Sequence, residues 1–310
     1  MPSDRMFQSA GTGSHCEGRR KVAEGDRGPP PAPRGDSDSH VGKMVLESMT
    51  DTFPERRFAS TVAHYVAGRP PYAPALIARV VQLCRVTRSH RVLDLGCGPG
   101  QLAVAFARYA GAVIAVDPEP EMLRAARAAA VSCEAKIEFI EANSADIGPA
   151  WGTFRLVAIG RAFHWMDRAE TLRRLDGVVE LGGAVVLFGD EHLDVPENKW
   201  HADYRALLET YAQGDAAREL RKSSSYLSPE ALLLDSAFRQ LERIGVIDRR
   251  RIRVERLVDR ALSMSSTSPA RLGAKAEELA AKIRELALRY AQSGIITEVV
   301  QSQALIAKRP

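Results

Sequence analysis

Between Val92 and Gly100 the chain reads Val-Leu-Asp-Leu-Gly-Cys-Gly-Pro-Gly, with Gly96, Gly98 and Gly100 at alternate positions and Asp94 two residues ahead of the first. Glycines placed after an apolar run and before a helical one let the backbone approach a ligand closely, where helix-terminal N–H groups face it. The G-x-G-x-G spacing differs from the G-x-G-x-x-G of dinucleotide binders. Asp94 would repel a pyrophosphate, but its carboxylate can hold an ammonium through a charge-assisted hydrogen bond, directly or through water. Asp117 closes the next apolar run, where an acid can accept hydrogen bonds from both ribose hydroxyls; its alternative role is to cap the helix that follows. Pro118 and Met122 offer an apolar wall for a base, and Met122 serves equally well as core filler. These residues imply a nucleoside ligand that carries a cationic amino-acid tail.

Such a loop needs a strand before it and a helix after it, and the surrounding pattern supplies both. Strands are expected at Arg91–Leu95, Ala112–Val116, Ile137–Ile140, Phe154–Ile159 and Ala184–Gly189, with helices between them. One helix follows Pro74, which suits a first-turn position, and puts Leu76, Ile77, Val80, Val81 and Cys84 on one face. Another spans Pro118–Ala130, and Asp167 with Glu170 forms a capping-box spacing for a third. Residues 190–236 break the alternation as a helical insert, in which Trp200, Tyr204, Leu207, Leu208 and Tyr211 recur at helical spacing. Ile252 and Val254 alternate as a short strand does, a long helix is expected over Ala270–Gln292, and a last strand over Thr297–Lys308. Alternating strands and helices pair in parallel through right-handed crossovers, so the fold class is α/β, a doubly wound and mostly parallel seven-stranded sheet with the insert as lid. The lid aromatics Trp200, Tyr204 and Tyr211 either face a substrate or pack the insert onto the sheet.

Four stretches together resemble the class I S-adenosylmethionine-dependent methyltransferases: Asp94 to Gly100, Val116-Asp117-Pro118, Ala162-Phe163-His164-Trp165, and Tyr65 with Gly68-Arg69-Pro70-Pro71-Tyr72. The likeness runs from about Phe53 onward. It points to the small-molecule branch that includes the trans-aconitate and ubiquinone/menaquinone-type enzymes. The resemblance implies a Rossmann-like fold and S-adenosyl-L-methionine as cofactor. It places Asp94, Gly96, Cys97, Gly98, Gly100, Asp117, Pro118, Met122, Asn143 and Ser144 around that cofactor, with Tyr65 and Arg69 closing over its methionine end. Arg69 is then the candidate for the cofactor carboxylate; otherwise Tyr65 and Arg69 anchor the first helix. The family pattern after the third strand is Gly-Asp-Ala, whose acid meets the adenine amino group. Here Ala142-Asn143-Ser144 stands instead, and Asn143 can accept that bond through its amide oxygen without charge. Arg155 stands where the fourth strand usually carries an acid. His164 follows that strand near the expected methyl position, where it either takes a proton, orients an acceptor, or packs beside Trp165. Cys97 is a small residue that fits its loop.

The implied activity is methyl transfer to a small-molecule acceptor at oxygen, nitrogen or carbon. An NAD-dependent oxidoreductase and a non-catalytic cofactor-binding module are the alternatives. An amino-methyltransferase of nucleic acid or of protein glutamine would show an Asn/Asp-Pro-Pro-Tyr type turn where this chain has Arg161-Ala162-Phe163-His164. A net charge of +4 over 310 residues is too small to imply nucleic acid as partner. The basic run Arg249, Arg250, Arg251, Arg253 and Arg256 reads as a solvated edge. Cys16, Cys84, Cys97 and Cys133 form no C-x-x-C pair, so no metal site or disulfide framework is expected, and the usage fits a reducing cytoplasm. No apolar run approaches the length of a membrane span. The first fifty residues, rich in Gly, Ser, Pro, Asp and Arg, are expected to be disordered, with Met44 or Met49 as alternative starts.

Overall fold

The computed structural model of the chain describes residues 58–310. The expectations for the first fifty residues and for the start at Met44 or Met49 lie outside them. Two short helices come first, α1 (Val62–Gly68) and α2 (Pro74–Leu83). Then follow β1 (Arg91–Leu95), α3 (Gln101–Ala107), β2 (Ala112–Asp117), α4 (Pro120–Ser132), β3 (Glu138–Glu141), β4 (Phe154–Gly160), α5 (Arg168–Asp176) and β5 (Val179–His192). Beyond β5 lie α6 (Lys199–Tyr211), α7 (Ala216–Lys222), α8 (Pro229–Leu234), β6 (Gln240–Arg253), α9 (Val254–Leu262), α10 (Pro269–Leu272), α11 (Lys275–Leu288) and β7 (Ile295–Lys308). The strand order is β3-β2-β1-β4-β5-β7-β6. The five strands from β3 to β5 are parallel, and β7 runs antiparallel to both β5 and β6.

Local sequence explains most of these elements. Pro74 and Pro120 occupy first-turn positions of α2 and α4, where a missing N–H costs nothing. Asp167 accepts the Glu170 N–H at 3.1 Å and so caps α5, while the Glu170 side chain turns to Arg173 and Arg174 instead of closing the box. The strands bury both faces. Val92, Ala115, Leu156 and Val186 pack with Leu76, Val80 and Phe106 of α2 and α3, whereas Leu93, Val116, Val157 and Val185 pack with Leu172 and Leu175 of α5. Burial on both sides is what a parallel sheet requires, and the apolar runs read accordingly.

Three expectations need correction. The short strand at Ile252 and Val254 is the end of the 14-residue β6, and Val254 already begins α9. Its alternation is obscured because β6 is the sheet's edge: the residues on its outward face are largely charged, and only Ile252 is fully buried. The single helix over Ala270–Gln292 is broken into α10 and α11 at Gly273, whose φ of 55° suits glycine. The lid is also larger than residues 190–236. β5 itself continues to His192, and α6 buries Trp200, Tyr204 and Leu208 with Leu257 and Val258 of α9 and Leu279 and Ile283 of α11. This third core, built with the ends of β6 and β7, is a cap. Arg249, Arg251, Arg253 and Arg256 are exposed, in keeping with a solvated edge, whereas Arg250 turns inward to Ser302 at 3.0 Å.

The cap is joined to the sheet by a buried ion pair. Glu298 of β7 is fully buried and accepts from Arg260 Nη1 of α9 at 2.8 Å and Nη2 at 3.2 Å; His192 Nε2 of β5 lies 3.1 Å from it. Burial works against this carboxylate, but the bonds from His192 and Arg260 hold it down at about 2. No helix among the described residues is long and apolar enough to cross a membrane. Replacing Glu298 by Ala strands the Arg260 guanidinium, so Glu298→Ala is expected to lose about 3–5 kcal/mol of stability in chemical denaturation, and a loss below about 1 kcal/mol would mean that the pair does not hold the cap.

Candidate functional site

At the carboxyl ends of β1, β2 and β4 the glycine loop folds into a turn that only glycines accept easily. Gly96, Gly98 and Gly100 have φ of 69°, 53° and 79°. A Cβ on Gly96 would meet Ala162 Cβ at 2.6 Å, and one on Gly100 would meet Ala126 Cβ at 3.0 Å. At Gly98 a Cβ would meet no described residue within 4 Å, so its backbone opens onto the cavity. Gly96 and Cys97 both donate to the Val116 carbonyl, at 2.8 and 2.9 Å.

Two acids brace this turn. Asp117 accepts the Gly98 N–H at 2.8 Å and the Glu119 N–H at 3.0 Å. It therefore ties the loop to β2 and also shapes the turn into α4. It lines the cavity, and burial pushes its carboxyl up to about 6. Asp94 is buried, and Oδ2 accepts the Ala103 N–H at 2.8 Å while Oδ1 has no hydrogen-bond partner among the described residues. Burial pushes Asp94 up to about 7. It faces a hollow of about 10 Å³ with Tyr65, Tyr72 and Gln101, room for about one water molecule. A cation arriving from the main cavity would thus meet Asp94 across a single water.

The main cavity is about 750 Å³, in the size range of small-molecule sites. Of the residues singled out in the sequence, Tyr65, Arg69, Gly96, Gly98, Asp117, Pro118, Met122, Asn143, Ser144 and His164 line it. Cys97 borders only the small hollow, and Gly100 borders neither, acting instead as the left-handed cap of α3. The amide oxygen of Asn143 is engaged: it accepts the Ala145 N–H at 2.7 Å, while Asp146 accepts the Asn143 N–H at 2.8 Å. An amide oxygen carries two lone pairs, so this bond leaves Asn143 able to accept a second donor, and the carboxylate of Asp146, which also lines the cavity, lies beside it as a further acceptor. Tyr65 and Arg69 both line the cavity. Arg69 and His64 also join α1 to the cap, because Arg69 Nε donates to Ser263 Oγ at 2.8 Å and His64 Nδ1 lies 2.9 Å from Asp259 Oδ1.

The lid aromatics are turned away. The Trp200 indole donates to the Thr297 carbonyl at 3.1 Å and the Tyr204 hydroxyl to the Leu257 carbonyl at 2.8 Å, both inside the cap's own core. What the cap presents instead is polar: Arg218 and Arg221 of α7 and Ser263, Ser265 and Ser266 after α9. Sequence reasoning missed these, because an Arg pair three apart on a short helix looks like any solvated face. Arg161, at the end of β4 with φ of 57°, also lines the cavity. It pairs closely with Asp190, donates to Gln101 Oε1 at 3.2 Å and the Pro70 carbonyl at 3.1 Å, and lies over the Tyr72 ring.

His164 is half-buried at the cavity wall, its ring centroid 4.7 Å from that of Trp165. Desolvation, then Arg221, Arg69 and Arg168 in turn, push its pKa down to about 3. The imidazole is therefore neutral at physiological pH and a weak proton acceptor.

The sheet order, the glycine turn at the ends of β1 and β2, and the two acids beside it have the arrangement of the Rossmann-like methyltransferase fold, the fold of the group that uses S-adenosylmethionine. Residues 92–183 match the family described as a methyltransferase domain. The chain is 34% identical over 130 residues to an uncharacterized methyltransferase of Mycobacterium tuberculosis (strain H37Rv), a match covering 42% of this chain and 50% of the relative. It is 35% identical over 116 residues to a trans-aconitate 2-methyltransferase of Rhodopseudomonas palustris (strain BisB5), covering 36% and 43% respectively. The chain thus spans about half the length of the curated relatives it matches. A solved structure from Anaeromyxobacter dehalogenans, named for the type II methyltransferases, superposes with a TM-score of 0.52 at 20% identity over 78% of this chain and 97% of that one, a likeness of fold.

The residues present suit the cofactor of this group. The orphaned Asp94 oxygen matches an ammonium, Asp117 matches a ribose diol, and the open face of Gly98 leaves room for the nucleoside. Two outcomes are expected in calorimetric titration with S-adenosylhomocysteine. Asp117→Ala weakens binding by about 1–3 kcal/mol. In the native protein, Asp94 must be ionised to meet the ammonium. Affinity therefore falls as pH drops below about 7, by up to about tenfold per pH unit, and levels off above it. An affinity independent of pH between about 5 and 8 would remove Asp94 from that role.

Proposed function

We propose that the protein transfers a methyl group from S-adenosylmethionine to a small-molecule acceptor. One observation carries the reading: a buried carboxylate with an unsatisfied oxygen at the end of β1, set beside a second acid at the end of β2 with the glycine turn between them. A pyrophosphate cofactor would meet the Asp94 carboxylate beside the glycine turn, which argues against a nicotinamide dinucleotide. The cofactor's contribution is a methyl carbon already activated by a sulfonium. The tasks left to the chain are to bind, to align and to exclude water.

In this reading Asp94 holds the ammonium, Asp117 the ribose, and Pro118 and Met122 the adenine face, with Asp146 within reach of its amino group. Arg69 and Tyr65 close over the methionine end. His164 positions the acceptor beside the methyl carbon. A proton acceptor with a pKa of about 3 contributes little as a general base, since efficiency rises as the pKa nears the working pH. The cap lines one side of the cavity through Arg218, Arg221, Ser263, Ser265 and Ser266, and a concave site of this size suits a small acceptor better than a strand of nucleic acid.

The direct test is incubation of the full chain with methyl-labelled S-adenosylmethionine and a small-molecule extract. Label appearing in a low-mass product supports the reading. Retained NAD instead of S-adenosylhomocysteine on purification, or label only in protein or nucleic acid, overturns it. For His164→Asn the expectation is a folded enzyme whose acceptor KM rises about tenfold and whose kcat stays within about threefold of the native value. If turnover instead slows by about two orders of magnitude or more while KM is unchanged, His164 is a base after all.

A further inference from the structure

Of the arginines that line the cavity, Arg69 follows α1 and Arg218 and Arg221 belong to α7, whereas Arg161 stands immediately after β4. Its neighbour Ala162 lies against the glycine turn, where a Cβ on Gly96 would meet Ala162 Cβ at 2.6 Å. In the reading above, the cofactor's sulfonium joins the tail held at Asp94 to the ribose held at Asp117, so it passes over this turn beside Arg161. A fixed cation there works against a cationic ligand, because like charges in a poorly solvated site repel. Arg161 is not placed to grip an anion, since each of its three nitrogens is engaged by the chain. Nε donates to Asp190 Oδ2 at 3.0 Å, and Nη2 donates to the same oxygen. Nη2 also donates to the Pro70 carbonyl at 3.1 Å, and Nη1 to Gln101 Oε1 at 3.2 Å. The guanidinium carbon lies 4.4 Å from the centre of the Tyr72 ring. The side chain is thus a strut that ties the end of β4 to β5, to the segment ahead of α2 and to the first turn of α3. What it chiefly offers the cavity is its charge.

Asp190 of β5 answers that charge. Its Oδ2 takes the two Arg161 donors, and its Oδ1 accepts from Ser302 Oγ of β7 at 3.0 Å. Arg250 Nη2 of β6 donates in turn to the Ser302 hydroxyl at 3.0 Å, so the carboxylate is held from both sides. The Arg161 and Asp190 side chains are only 13% and 15% exposed, and salt screens such a pair little. Asp190 is not among the described residues that line the cavity, and it acts there through Arg161. We infer that Asp190 is a specificity-determining residue for the charge of the cofactor: by neutralising Arg161 it admits the sulfonium, and so sets how tightly S-adenosylmethionine binds relative to S-adenosylhomocysteine. This inference rests on the methyltransferase reading. The two ligands share their adenosine and their amino-acid tail and differ in the methyl group and the positive charge at sulfur. A change in their affinity ratio therefore reports the field at sulfur and not the contacts they share. Because the product competes with the cofactor for one site, the same ratio sets how strongly product holds back turnover.

The test titrates the full chain calorimetrically with S-adenosylmethionine and with S-adenosylhomocysteine, in the native form and in three variants. Asp190→Asn leaves the Arg161 charge unanswered, and affinity for S-adenosylmethionine relative to S-adenosylhomocysteine should fall about fivefold or more. Arg161→Gln leaves the carboxylate unanswered, and the same ratio should rise about threefold or more. The double variant Arg161→Gln with Asp190→Asn removes both charges, and the ratio should return to within about twofold of the native value. A purely structural role would weaken both ligands alike. Opposite shifts in the single variants that cancel in the double one support the inference. A ratio within about twofold of native in both single variants, or one that moves the same way in both, overturns it and leaves the methyltransferase reading standing. Asp190→Asn strands a buried cation and can fail to fold. Arg161→Gln then decides alone, a rise supporting the inference and an unchanged or lower ratio overturning it. A native chain that binds neither ligand defeats both this inference and the reading beneath it.

Discussion

The hydrogen bond from the Gly98 N–H to Asp117 is the contact on which the site turns. It connects the loop that leaves β1 to the last residue of β2, so that two neighbouring parallel strands end in one shared cradle. The loop's left-handed glycines have no side chains to lock them, and their conformation is set by this bond together with the two N–H donations to the Val116 carbonyl. The same carboxylate that braces the loop faces the cavity, which makes loop shape and ligand contact properties of a single side chain. Its cost is visible in the raised pKa: a buried acid is kept for what it binds rather than for what it adds to stability.

The parallel half of the sheet was legible because its strands are buried on both faces and its turns carry glycine or proline at fixed places. β1 was legible to the residue, and β2, β3 and β4 to within one residue at either end. The antiparallel half was harder. β6 is a long edge strand whose alternate positions hold Arg243, Arg249, Arg251 and Arg253, so its period of two is written in charge and not in apolar residues. The cap was underestimated for a related reason. Its core joins α6 to α9 and α11 across distant stretches of chain, and helical periodicity reports that a face is buried without saying against what.

The candidate site divides along the same line. Most of the residues expected around the cofactor come from strand ends and the turns that follow, where position in the chain fixes position in space, and all but Asp94, Cys97 and Gly100 line the cavity. The cap residues Arg218, Arg221, Ser265 and Ser266 are brought there by tertiary packing alone. The aromatic residues Trp200 and Tyr204 of α6, conspicuous in the sequence, fill the cap's interior, and their polar tips are satisfied by backbone carbonyls. Asn143 shows a subtler limit: its side chain also caps the local turn, and the neighbouring acceptor Asp146, which lines the cavity too, was not singled out in the sequence.

Helix α1 lies against the cap more closely than side chains would allow. A Cβ on Gly68 would sit 2.3 Å from the Arg260 backbone nitrogen, and the flanking bonds His64–Asp259 and Arg69–Ser263 fasten the helix along the same seam. Tyr65 and Arg69 therefore ride on the cap and not on the sheet. In the function proposed above, any outward swing of the cap would withdraw Tyr65 and Arg69 from the cofactor's methionine end in the same motion that uncovers the acceptor end. The two compartments of the cavity would share one door, and a catalytic cycle built on it would discharge both products in a single opening, with the affinity of one ligand felt in the residence time of the other.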